Sequence, residues 1–267
     1  MDALRQIEDW PAPTAAVAVV AAEGVVAVYG PQQQPFRWAS VTKLATALAV
    51  LVAVEEGSVD LDQPAGPPGA TLRHLLAHAA GYAFDEATLL APPGTRRIYS
   101  NSGIEAAAAL VEEAAGMPFG DYLRAAVIAP LGLRAELHGS PAHGLHGPVS
   151  DLALLARELL APTLVARETL DEATRVAFPG LSGVLPLFGR QEPCDWGLGF
   201  ELRAGKAPHW TGSRNSPRTF GHFGGSGSFL WVDPEAQVAL ACLTDLAAGP
   251  WIREAWPALS DAVLAEL

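Results

Sequence analysis

Ser40 and Lys43 stand three residues apart at the head of an apolar run, residues 44–54. If that run is a helix, positions three apart lie on one face, so the serine hydroxyl and the lysine amine can meet. The pair would then be a nucleophile beside its base. Serine is a weak nucleophile until a neighbour takes its proton, and lysine does so only when neutral. An ordinary lysine, with a pKa of about 10.4, is neutral roughly one time in 2500 at pH 7, and half-neutralising it costs about 4.6 kcal/mol. Burial among Leu44, Ala45, Ala47, Leu48, Ala49 and Val50 is the expected source, because desolvation disfavours the ammonium. Lys43 is one of two lysines beside fifteen arginines. Arginine serves for permanent charge and could not act as a base.

The elements that must hold this pair follow from pattern. Residues 2–10 read as a short helix stopped by Pro11 and Pro13, and residues 15–22 and 25–29 as a strand hairpin turning at Glu23-Gly24. The Ser40 helix should run to Glu56 and end at Gly57 in the left-handed conformation. Three prolines and two glycines between Asp60 and Ala70 read as a linker. Residues 71–178 carry helical patterns with caps at Thr71, Asn101 or Ser102, and Ser150. From Pro179 the chain turns to glycine, aromatic and β-branched residues, giving strands over 196–202, 219–223, 228–232 and 238–244, then a helix from Ile252. The order implies an α+β fold: an antiparallel sheet flanked by helices and built from both chain ends, residues 1–60 and 179–267, with an inserted all-helical domain, residues 61–178.

Composition sets bounds. A chain of 267 residues that is 50% hydrophobic can bury a large core. A net charge of −12 with no basic run argues against nucleic acid as a partner, since phosphates reward clustered Lys and Arg. The opening decapeptide lacks the basic and apolar regions of a secretory signal, and residues 44–54 are too few to span a bilayer, so the expectation is a cytoplasmic protein with no membrane partner. Cys194 and Cys242 cannot make a disulfide framework and read as small buried hydrophobes. His138, His143 and His146 lie in a Gly/Pro-rich loop without a metal-ligand pattern, and neither a metal nor another cofactor is expected.

Two further clusters complete the set: Tyr99-Ser100-Asn101, where a loop meets a predicted helix, and His222-Phe223-Gly224-Gly225, at the end of a predicted strand. In this order the chain resembles the serine β-lactamase and penicillin-binding-protein superfamily, with its Ser-x-x-Lys, Ser/Tyr-x-Asn and Lys/His-x-Gly motifs. The Tyr and His variants are most similar to the class C β-lactamase-like branch, which includes family VIII carboxylesterases and D-aminopeptidases. Residues 36–43, 75–81, 130–133 and 149–152 sit where that branch has similar phrases, and the resemblance covers roughly residues 15–245.

The resemblance implies that Ser40 attacks a carbonyl and becomes an acyl-enzyme, with Lys43 as base and Tyr99 as its proton-passing partner. The backbone N–H groups of Ser40 and Gly225 would form an oxyanion hole, and Asn101, His222, Phe223 and Gly224 would contact substrate. His222 stands where β-lactamases have lysine, and a neutral imidazole holds a carboxylate less well than an ammonium. The expected reaction is hydrolysis of small esters, the partner a small-molecule ester or amide. The alternatives are amides or peptides of D-amino acids, weak β-lactam hydrolysis, or an idle binding member of the fold. Gly221–Gly227 lacks the Lys-Ser/Thr of a phosphate loop, and no Gly-x-Ser-x-Gly occurs. Tyr82, Trp196, Trp210 and Phe229 are candidate pocket walls, and Arg214 and Arg218 candidate anion contacts. The sequence leaves oligomeric state open.

Overall fold

The computed structural model describes residues 1–267. A 3-10 segment, Asp2–Asp9, leads into β1 (Ala15–Ala21), β2 (Gly24–Tyr29) and the two-residue β3 (Phe36–Arg37). A 3-10 turn, Ala39–Val41, then opens α1 (Thr42–Glu55), which ends at Gly57 with φ +72° as its left-handed stop. The helix-rich stretch holds α2 (Leu72–Leu76), α3 (Asn101–Ala115), α4 (Phe119–Leu123), a π turn at Arg124–Ile128, α5 (Val149–Leu160) and α6 (Arg167–Ala173). It also carries two short strands, β4 (Glu136–Leu137) and β5 (Leu145–Gly147), that pair with β3. The last third supplies the hairpin β6 (Gly183–Leu185) and β7 (Gly189–Gln191), strands β8 (Glu201–Leu202), β9 (Phe220–Gly224), β10 (Ser228–Asp233) and β11 (Val238–Thr244), and α7 (Ile252–Ala265).

The main sheet is antiparallel, in the order β2-β1-β11-β10-β9-β8, so strands from both chain ends meet where β1 pairs with β11. Successive side chains of a strand point to opposite faces, and here both faces are covered. Ala16, Ala18, Val20, Leu230, Val232 and Ala241 pack into a 54-residue core with α1, α3 and α5. Val17, Val19, Trp231, Leu240 and Cys242 pack into a second core of 20 residues with Ile7 and with Trp256 of α7. This explains why β10 and β11 are buried throughout, with apolar runs over 229–232 and 238–243 rather than alternation. Both cysteines are free and buried. No helix is long and apolar enough to cross a membrane.

Local differences from the sequence pattern have physical reasons. The strand expected over 196–202 shrinks to β8 because Gly199, at φ +86°, turns the chain against α1, where a Cβ would lie 2.3 Å from that of Ala47. The segment 60–70 is a folded loop rather than an extended linker: Arg73 N–H donates to Leu61 O and Leu72 N–H to Gln63 O. Ser150 lies inside α5, and Pro148 takes the cap position.

Beside β8 a charged network is sealed from solvent. Glu201 pairs with Lys206 and, at 3.0 Å, with His209, and accepts from Trp210 Nε1 at 2.8 Å. Burial alone would push the Glu201 carboxyl up, but the charges of Lys206 and His209 bring it down to about 2. Lys206→Met strands a buried carboxylate, so an unfolding free energy lower by about 3–5 kcal/mol is expected in urea titrations at pH 7. A depressed carboxylate contributes stability above its unfolded pKa and loses it as pH falls towards the folded one. The gap between wild type and variant should therefore narrow below pH 4.5. An unchanged midpoint for the variant would contradict this.

Candidate active site

Ser40 sits at the turn that opens α1, gripped from the sheet. Ser228 Oγ donates to Trp38 O at 2.7 Å, Ser226 Oγ to Arg37 O at 2.7 Å, and Trp38 Nε1 to Gly147 O at 3.1 Å. Ala39 takes a left-handed φ of +46°, which bends the chain between strand β3 and the helix. The serine therefore precedes α1 proper, in the 3-10 turn, and still lies one turn from Lys43 as the spacing requires.

Lys43 is fully buried. Its Nζ lies 3.2 Å from Ser40 Oγ, 2.6 Å from Asn101 Oδ1 and 2.9 Å from Ala142 O. Burial lowers it from 10.5 to about 7, against the opposing charges of Glu105 and Asp85. Near neutrality both forms are thus populated. A neutral amine keeps two N–H donors, enough for Asn101 and Ala142, and its lone pair is left for the Ser40 proton.

Tyr99 immediately precedes α3, whose N-cap is Ser100 through a bond from Gly103 N–H at 3.0 Å. Burial raises the phenol above its ordinary value, and a hydrogen bond with the Ser40 side chain only partly offsets this. Its ring centre is 4.9 Å from Lys43 Nζ. The ring is fixed by stacking on Phe84 at 5.7 Å and by contacts with His78 at 4.8 Å and Trp196 at 5.7 Å. Asn101 Nδ2 donates to Asp85 Oδ1 at 2.7 Å, so one end of the amide holds Lys43 and the other is held by Asp85. Asn101, expected to contact substrate, is buried and is not among the residues that line the pocket.

His222 is buried on β9, its Nδ1 2.6 Å from Phe223 O, which makes Nδ1 the protonated nitrogen. Its Nε2 has no protein partner and is left as an acceptor. Burial first, and the Lys43 charge second, lower this imidazole to about 3, so it is neutral at pH 7. At Gly224 a Cβ would lie 2.4 Å from Trp38 O and 2.4 Å from Ser228 Oγ, so the missing side chain lets β9 meet the Ser40 turn. Gly224, expected to contact substrate, packs against this turn and is not among the residues that line the cavity. Gly225 is exposed, has open space at its Cβ, and borders the pocket beside Ser40.

Together Ser40, Tyr99, His222 and Gly225 form the polar floor of a cavity of about 300 Å³. Its walls are Phe84, Trp196, Phe223, Ala248 and the hairpin tip Leu185-Pro186-Leu187. Of the four candidate walls only Trp196 is there: Trp210 and Phe229 lie in the second core, and Tyr82 packs on the first. Arg214 and Arg218 are exposed and away from it. The sequence pattern does not single out Asp85, the Ala142 carbonyl, Phe84 or the hairpin tip. His78 is buried beside the Tyr99 ring at φ +54°, its Nδ1 taken by Ser100 N–H at 3.2 Å.

Comparison with known proteins agrees with this layout. The Beta-lactamase family model matches residues 5–264. A crystal structure described as a beta-lactamase (Mb2281c) from Mycobacterium bovis is 53% identical, covers 99% of this chain and 98% of its own, and superposes with a TM-score of 0.98. EstCE1, described as a hydrolase with promiscuous acyltransferase activity, shares the fold at TM-score 0.80 and 19% identity, over 98% of this chain and 97% of its own. A simvastatin synthase (LovD) variant from Aspergillus terreus does so at 0.78 and 19%, over 99% of this chain and 93% of its own. No curated protein matches the chain.

Proposed function

This chain belongs to the beta-lactamase family of serine hydrolases, and we propose that within it the protein is a carboxylesterase acting on neutral esters through an acyl-enzyme on Ser40. The observation that carries the reading is a buried Lys43, brought to about 7, at 3.2 Å from a serine that faces an uncharged pocket. Neutral Lys43 takes the Ser40 proton as Oγ attacks the ester carbonyl. The oxyanion is received by the backbone N–H groups of Ser40 and Gly225, where one lost donor typically costs about 100- to 1000-fold. Tyr99, kept protonated by its burial, gives its proton to the departing alkoxide and regains one from the Lys43 ammonium. The alcohol leaves, and water retraces the route on the acyl-enzyme, delivering the carboxylic acid and restoring Ser40.

Substrate charge supports esters over the alternatives. No side chain on the cavity wall carries a formal charge, and His222, neutral at pH 7, offers a carboxylate no cation. Penicillins and peptides carry such a carboxylate. That EstCE1, of the same fold, is described as a hydrolase with promiscuous acyltransferase activity is consistent with this reading, since one fold hosts many activities. The test compares kcat/KM for p-nitrophenyl butyrate, D-alanine p-nitroanilide and a penicillin. The ester should be turned over fastest, and a faster amide or penicillin would replace this reading with the corresponding alternative.

A further inference from the structure

The mouth of the cavity is apolar. Phe84 and Leu187 line the pocket and yet are 50% and 41% exposed, so each presents one side to the ligand and one to solvent. Leu89, Leu90 and Val184 are exposed nearby in sequence, but none of the three lines the pocket. Single exposed hydrophobics are ordinary, whereas two that also line a pocket mark its apolar mouth.

The segments that carry Phe84 and Leu187 are held in place before any ligand arrives. Phe84 O accepts from Asn101 N–H at 2.7 Å and Ala83 O from Ser100 Oγ at 2.6 Å, which ties the first to α3. Leu187 O accepts from Arg253 Nε at 2.9 Å, which ties the hairpin tip to α7. Arg97 anchors the approach to the hairpin: its N–H donates to Ser182 O at 2.9 Å, while its buried guanidinium bonds Ala77 O at 2.5 Å and Cys194 O at 3.0 Å. A rigid apolar rim loses little freedom on binding. Glu86, next to the rim in a chain of net charge −12, disfavours an anionic ligand.

We propose that this rim and cavity take one hydrocarbon chain of the ester, of about eight carbons, on its acyl or its alkoxy side. The proposal rests on the ester reading above and names its substrate class: neutral esters of medium chain length. At about 30 Å³ for each water-sized group, a cavity of about 300 Å³ is filled by an ester group with a chain of that length. Its far end then lies between Phe84 and Leu187.

The experiment is a chain-length series, with p-nitrophenyl acyl esters from two to twelve carbons and alkyl acetates of the same lengths. All are held below their critical micelle concentrations, so that aggregates play no part. Each methylene taken fully from water is worth up to about fourfold in binding. A rise in kcat/KM of at least about thirtyfold from two to eight carbons is expected along one of the series. Leu187→Asp and, separately, Phe84→Ser should each lower the ratio of eight-carbon to two-carbon kcat/KM by about tenfold or more. A loss of folding would lower both members of that ratio alike. Turnover of acetates with a profile flat or falling along both series, or an unchanged ratio in both variants, would overturn the proposal and leave the ester reading standing. No turnover of any ester would remove that reading and this proposal with it.

Discussion

Ser40→Ala should lower kcat for p-nitrophenyl butyrate by about 10⁴- to 10⁶-fold, the scale on which serine hydrolases lose activity when the nucleophile is removed. The loss is large because no other hydroxyl can take over. Tyr99 is held protonated by burial, and Ser226 and Ser228 spend their hydroxyls on the Arg37 and Trp38 carbonyls. Some rate above the uncatalysed one should survive, since the backbone donors at Ser40 and Gly225 remain in the variant. The fold should be untouched, because Ser40 is only half-buried and its side chain is not part of either core. Identical far-ultraviolet dichroism and urea midpoints would show this. Activity within tenfold of wild type would mean that the nucleophile lies elsewhere.

In the proposed mechanism Lys43 governs the pH dependence. Only the neutral amine can take the serine proton, and burial has brought it down from 10.5 to about 7. The logarithm of kcat/KM should therefore rise with unit slope below pH 7 and level off above it. His222, at about 3, titrates below that limb, and burial moves Tyr99 above its ordinary 10, so no falling limb is expected at moderately alkaline pH. Asp85 raises the lysine, so Asp85→Asn should move the limb to lower pH. Lys43→Arg fixes the positive charge and removes the base, for an expected loss of about 10²- to 10⁴-fold together with the limb itself. A limb retained near pH 7 in that variant would assign the titration to another group.

Much of this site was legible in the chain because its chemistry is local. Ser40 and Lys43 are separated by a helical step, and Tyr99, Ser100 and Asn101 straddle a helix start that the following apolar period announces, although the cap is Ser100 and not Asn101 or Ser102 as expected. The helix read from Asn101 or Ser102 through Ala115 and the strand read over 238–244 match α3 and β11, since capping, glycine stops and apolar runs all act within a few residues. What was illegible is contributed across long separations or by backbone. The Ala142 carbonyl that accepts from Lys43 lies 99 residues away, and its own side chain says nothing of the role. Asp85 orients Asn101 from a loop with no period to place it. The hairpin β6–β7, whose tip walls the cavity, consists of three-residue strands too short to show alternation. Trp210 and Phe229 show the converse error: an aromatic near a motif reads equally as wall or as core, and Trp256 of α7, far off in sequence, makes Phe229 core through a ring contact at 5.0 Å.

The central claim is that Ser40 carries the acyl group between two half-reactions. It is tested most directly by mixing the protein with excess p-nitrophenyl butyrate, quenching in acid within the first turnovers, digesting, and mapping the modified peptide by mass spectrometry. The account predicts a butyryl adduct on Ser40, formed with a burst of p-nitrophenol and absent from Ser40→Ala. Steady turnover with no adduct on Ser40, or an adduct on another residue that survives in the variant, would contradict it.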